Sequence, residues 1–192
     1  VAESSSLRLS TGASLKLPPC HPSARAAPDI ADTVSATEAV AASVTTPAEL
    51  LELIQGHRRL TRRVIELFPD DQLFTFSIGG MRTFGEIATE LAFMFGPTLH
   101  GIVTGEWIFE PRKFETKAEL LQEWDATTER INELWTQLPV SKFRETMTAF
   151  GQWTGTGTWL LQYCIDNENH HRGQGYVYLR ALGIEPPPFW ER

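Results

Sequence analysis

From Thr46 onward, apolar residues return every three or four positions along four long stretches, which is the spacing of one face of an α-helix. The first stretch runs from about Pro47 to Phe68, with Leu50, Leu53/Ile54, His57, Leu60/Thr61, Val64 and Leu67/Phe68 on its stripe, and Pro69 stops it. The second starts at Phe84 and carries Ile87, Glu90/Leu91, Met94/Phe95, Thr98 and Ile102. Pro97 lies inside it and predicts a kink. The third spans about Lys117 to Leu138, with Leu120/Leu121, Trp124, Thr127/Thr128, Ile131, Leu134/Trp135 and Leu138. The fourth begins near Thr158 and carries Leu160, Tyr163/Cys164, Asn167, His170/His171, Gln174, Val177/Tyr178 and Ala181. Gly183 then closes it, and Pro186-Pro187-Pro188 forbids its continuation.

Three of the four stretches open with the same start signal. Thr46-Pro47-Ala48-Glu49, Thr83-Phe84-Gly85-Glu86 and Thr116-Lys117-Ala118-Glu119 each place a threonine and a glutamate three residues apart. The hydroxyl can cap a free first-turn amide while the carboxylate reaches back to the cap. Four helices of similar length with one apolar stripe each predict an all-α fold, a four-helix bundle over residues 46–192. Its connections are too long for minimal up-down hairpins. They carry Trp107, Phe109, Phe114, Phe143, Phe150 and Trp153, which predicts that they pack over the bundle ends and leaves room for a crossover topology.

Residues 1–45 read differently. Ser, Thr, Ala and Pro fill 27 of the first 46 positions, and all six tryptophans lie beyond them. Such a segment cannot bury enough apolar surface to offset its ordering entropy, so it reads as a disordered tail. Two other readings stand beside that one. Between Ser4 and Pro28 the segment has Arg8, Lys16 and Arg25 and no acid, as in an organellar transit peptide, and residues 31–43 can form a weak helix.

Composition narrows the partners. The 192 residues carry 24 acids against 17 bases, a formal charge of −7, with no basic block. That argues against nucleic acid as a partner. No run of 18 apolar residues exists to cross a membrane. Cys20 and Cys164 form no CxxC, so neither a disulfide framework nor a cysteine zinc site is expected, and the protein reads as reduced and cytoplasmic.

Polar residues at core-facing positions hold the candidate chemistry. Asn167 and His171 stand four apart on the fourth helix and so point the same way, as two ligands of one metal ion do, and Gln174 follows at the next turn. Glu90 lies between Ile87 and Met94, where a buried carboxylate needs a partner, although the edge of the stripe also lets it reach solvent. His57 lies on the stripe of the first helix and reads more readily as a hydrogen-bonded core histidine than as a ligand. Arg172 and Arg180 can pair with acids on neighbouring helices, and His170 lies about 100° around the helix from His171, toward a neighbouring helix.

The run Asp166-Asn167-Glu168-Asn169-His170-His171-Arg172-Gly173-Gln174, continuing through Tyr178-Leu179-Arg180, Leu182-Gly183 and Pro186-Pro187, resembles the signature of the DinB/YfiT-like superfamily of four-helix bundles. Phe84 to Leu91 and Gly101 to Trp107 resemble its second helix and the segment after it. The resemblance covers residues 46–192 and implies one divalent metal (Mn, Fe, Ni or Zn) held by three histidines. Residue by residue those positions are Glu90, Asn167 and His171, so only His171 keeps the family's residue type.

Three outcomes are open. Glu90, Asn167 and His171 can hold a metal, the oxygen donors favouring manganese or iron(II) over zinc. Glu90 and His171 can instead form a metal-free pair in which the carboxylate orients the imidazole as a general base. Or the site is a remnant in a bundle that binds a small ligand or a protein partner. The resemblance also implies damage-inducible expression, a homodimer and, where metal is retained, a transferase using a low-molecular-weight thiol activated by the metal, with Gln174 or Tyr163 orienting the substrate.

Overall fold

The computed structural model describes residues 45–192. The segment expected as a tail lies outside the described residues except for Thr45. Five α-helices follow: α1 (Pro47–Leu67), α2 (Phe84–Ala92), α3 (Phe95–Thr104), α4 (Lys117–Trp135) and α5 (Gly157–Ala181). All three capping boxes form. Thr46 Oγ1, Thr83 Oγ1 and Thr116 Oγ1 each accept from the amide three residues on at 3.2 Å. The carboxylates of Glu49, Glu86 and Glu119 accept from the cap amides in return. At the far end of α5, Gly183 (φ 75°) donates to Arg180 O and Ile184 donates to Leu179 O. These two bonds need a left-handed residue after the helix, which glycine adopts without strain.

Two helices differ from their expected lengths, each because of a proline. The second stretch is broken into α2 and α3 instead of being kinked at Pro97. Pro97 has no amide to offer Phe93 O, and its ring excludes that carbonyl, so the chain leaves the helix at Phe93 (φ −98°, ψ 7°) and restarts at Phe95. Pro97 then falls in the first turn of α3, where no intrahelical donor is required. α4 ends at Trp135, short of Leu138. Pro139 disfavours helical geometry at the residue before it, and the chain tightens through bonds from Gln137 to Leu134 O and from Leu138 to Trp135 O.

The long connection between α4 and α5 contains a 3₁₀ turn (Val140–Phe143) and an antiparallel hairpin, β1 (Thr146–Ala149) with β2 (Trp153–Thr156), that the apolar pattern did not announce. Strands of four residues carry too few alternations to register. At the hairpin turn Phe150 (φ 51°) and Gly151 (φ 68°) both take left-handed geometry. The strain at Phe150 is offset by its ring, which meets Trp107, Phe109 and Trp153 edge-on at centroid distances of 5.4 to 6.2 Å. The connections therefore do pack over a bundle end.

α1 packs against α4 and α5, and α2 and α3 pack against the same two helices. Helices consecutive in the chain, α1 with α2 and α4 with α5, thus stand on diagonals, which explains the long connections. The core is divided into two apolar clusters. One gathers Val64, Phe68, Phe84, Leu91, Trp124 and Leu179; the other gathers Ile54, Leu99, Ile102, Ile131, Leu161 and Ile165. Between them, at the same level on α1, α4 and α5, lie the buried polar residues His57, Arg58, Thr61, Thr127, Glu168 and Arg172. Among the described residues no helix is long and apolar enough to cross a membrane.

Candidate functional site

The polar layer is held by pairing across helices. The Arg58 guanidinium lies 4.1 Å over the Trp124 ring and donates to Thr128 Oγ1 at 2.7 Å, Thr127 Oγ1 at 2.9 Å and Trp124 O at 3.0 Å. Burial pulls its pKa down to about 10, which leaves it charged at neutral pH. Glu168 accepts from Thr61 Oγ1 at 2.6 Å and lies 3.7 Å from Arg172 Nη1. Burial raises the Glu168 pKa, while Arg58, Thr61 and Arg172 oppose the rise. Arg172 also donates to Thr61 Oγ1 and to Asn169 Oδ1. Its acidic partner is therefore on its own helix, whereas Arg180 faces Glu185 beyond the helix end.

The inward face of α5 is turned relative to the expected stripe. Its buried residues include Leu161, Cys164, Ile165, Glu168, Arg172 and Gly175. Asn167 and His171 flank this face, and Tyr163 and Val177 are exposed. Glu168 and Arg172 are the charged residues that the stripe missed. Their own spacing of four residues was the available signal.

Where the α2/α3 break meets the middle of α5, a second polar group reaches the surface. Arg82 Nη1 donates to Glu90 Oε2 at 2.6 Å, and His171 Nε2 approaches Glu90 Oε1 to 3.5 Å. His171 Nδ1 lies 2.8 Å from Gln174 Oε1, and Gln174 Nε2 lies 3.3 Å from His170 Nε2. The His171 side chain is 12% exposed, Glu90 30% and Arg82 37%, so the group grades from core to solvent. His170 is exposed instead of facing a neighbouring helix, and its ring meets His171 edge-on.

The electrostatics follow from these contacts. Burial works to raise the Glu90 pKa, but His171 and Arg82 outweigh it and draw the carboxyl down to about 2. Burial works against the charged form of His171, yet Glu90 and Gln174 prevail and raise its pKa. Oxygen acceptors face both ring nitrogens, which shifts the balance toward the charged ring.

The structure thus brings Glu90, His171 and Gln174 together and adds Arg82, which precedes α2 where the helical pattern is silent. Asn167 lies one turn away, its Nδ2 donating to Met94 Sδ at 3.1 Å. His57 stands apart in the polar layer, where Arg172 Nη2 and Arg192 Nη1 face its two nitrogens at 3.1 and 3.2 Å. Burial and those two arginines lower its pKa to about 4. Tyr163 lies on the outer face of α5, stacked on Trp159 at 5.9 Å, away from the group.

As arranged, these side chains do not fit a resident divalent metal. A guanidinium already neutralises Glu90, an oxygen acceptor faces each nitrogen of His171, and Asn167 offers only a neutral amide oxygen, a weak ligand. Among the described residues no three His, Cys, Asp or Glu side chains come together to hold a metal ion.

Comparison with known proteins bears on the whole bundle. The sequence profile of the DinB family matches residues 40–192. Three solved structures share the fold. A DinB-like protein from Bacillus subtilis, YjoA, is 21% identical with a TM-score of 0.63, the match covering 74% of this chain and 99% of that one. A DinB-like protein from Bacillus cereus is 16% identical with a TM-score of 0.63, covering 73% and 95%. A structure assigned to the DinB family from Exiguobacterium sibiricum is 19% identical with a TM-score of 0.55, covering 74% and 95%. No curated protein matches the sequence.

Proposed function

The chain belongs to the DinB family, and from that premise we propose that it is a small-molecule-binding bundle whose site takes an anionic group directly, through Arg82 and His171, without a resident metal. The observation that carries this reading is the pair of cationic groups on one carboxylate. Arg82 brings a full positive charge to the single negative charge of Glu90, His171 adds a ring whose charged form that carboxylate favours, and all three side chains reach solvent. A ligand carboxylate, phosphate or thiolate would meet a net positive, part-buried surface, where charge-assisted hydrogen bonds are stronger than in water. Glu90 favours the charged form of His171, and Gln174 fixes the ring orientation.

The test is a thermal-shift series with small carboxylates, phosphate esters and low-molecular-weight thiols, on the wild type and on Arg82→Gln and His171→Ala. At least one anionic ligand should raise Tm in the wild type, with the rise reduced in both variants. If no ligand shifts Tm, or if the shift survives both substitutions, the reading fails.

A second reading is a metal-dependent transferase acting on a thiol, and the present contacts of Glu90 and His171 weigh against it. Elemental mass spectrometry of untagged protein after exposure to manganese, iron, nickel and zinc separates the two. Near-stoichiometric metal that disappears in His171→Ala supports the transferase.

A further inference from the structure

We propose that Arg82 sets the kind of charge this site accepts: its guanidinium holds the position at Glu90 that a divalent cation would need, and so excludes metal from a site two substitutions away from binding it. The inference deepens the metal-free reading above, although it concerns cations and not the ligand.

The contacts are specific. Both carboxylate oxygens of Glu90 are engaged, Oε2 by Arg82 and Oε1 by His171. The arginine is held at its backbone as well as at its head. The Tyr178 hydroxyl donates to Arg82 O at 2.8 Å, and Tyr178 is itself buried. Arg82 directly precedes the Thr83 cap of α2, where the helix dipole disfavours a cation. Its place there is therefore accounted for by its acidic partner and not by the helix.

Across from it, Asn167 and His171 stand four apart on α5, the spacing at which two side chains share one ion. With histidine at 167, the group would hold two imidazoles and a carboxylate, a donor set that suits zinc. Two residues thus stand between this site and a metal centre. Asn167 supplies only a neutral amide, whose nitrogen donates to Met94 Sδ, and Arg82 occupies the carboxylate.

Zinc binding to the full chain, measured by equilibrium dialysis with elemental mass spectrometry, tests this on four proteins: wild type, Arg82→Gln, Asn167→His and the double variant. Wild type and Arg82→Gln should hold little zinc, and Asn167→His should bind it weakly. The double variant should bind about one zinc per chain, on the order of 10- to 100-fold tighter than Asn167→His, the scale seen when groups around ligands change. Zinc should raise Tm most in the double variant.

Near-stoichiometric zinc in the wild type, or equal affinities in Asn167→His and the double variant, would overturn the proposal. If Arg82→Gln does not fold, Tyr178→Phe replaces it. Freeing the Arg82 carbonyl should then raise the zinc affinity of Asn167→His by a smaller factor, and no rise counts against the proposal. Failure of the anion panel with this zinc pattern intact would remove the proposed ligand and leave the role of Arg82 standing.

Discussion

Gly173 and Gly175 stand two residues apart on α5, and a methyl group added at each meets different surroundings. At Gly175 a Cβ would lie 2.4 Å from the Phe84 ring, whereas at Gly173 nothing lies within 4 Å. Gly175→Ala should therefore destabilise the protein by about 1–3 kcal/mol through overpacking, despite the better helix propensity of alanine. Gly173→Ala should stabilise it by about 0.5–1 kcal/mol. Urea denaturation of the two variants checks both signs. At this scale the sequence was partly legible. Asn167, His171 and Gln174 stood out because their spacing is local, and Glu90 because it interrupts an apolar stripe. Arg58 and Arg82 did not, because their partners Thr128, Trp124 and Glu90 come from other helices or lie eight residues away, and no local period records such pairings.

α2 has only nine residues and cannot gain much from helical cooperativity, so its ends matter more than those of its longer neighbours. Thr83→Ala removes the hydroxyl that caps Glu86 N and that donates to Glu86 Oε2, leaving only the backbone amide of residue 83 on that carboxylate. It should cost about 1 kcal/mol. The α2 amides, including those that present Glu90, should show faster hydrogen exchange than the amides of α5. Equal exchange in wild type and variant would contradict that dependence. The elements were the most legible level, because capping boxes, stop prolines and Gly183 act within a turn of their own position. The break before Pro97 was misplaced for a related reason: proline disrupts the carbonyl four residues back, so the helix fails at Phe93 and not at the proline itself.

Across the whole molecule, the neighbours of each helix were not legible, because a stripe records that a face is buried and not what buries it. The polar layer is a property of this level and carries a pH dependence. With its pKa lowered from 6.5 to about 4, His57 binds fewer protons in the folded than in the unfolded chain between those values. His57 alone should accordingly raise stability from pH 4 to pH 6.5, by up to about 3 kcal/mol, while the raised pKa of buried Glu168 opposes that rise as pH climbs above 4.5. The lowered pKa of Glu90 adds a loss of stability in the same direction as pH falls from about 4.5 toward 2. The raised pKa of His171 acts the other way. Its contribution is present below 6.5 and is lost as pH climbs through the folded-state value. Urea melts across this range should show a maximum near neutrality, with a shallower acid limb in His57→Gln.

The most direct test of the account is the protonation of His171, followed by nitrogen NMR of the imidazole through a pH titration. The His171 pKa should lie above that of an exposed histidine and fall back in Glu90→Gln. A pKa at or below that of an exposed histidine, or one indifferent to Glu90, would contradict this.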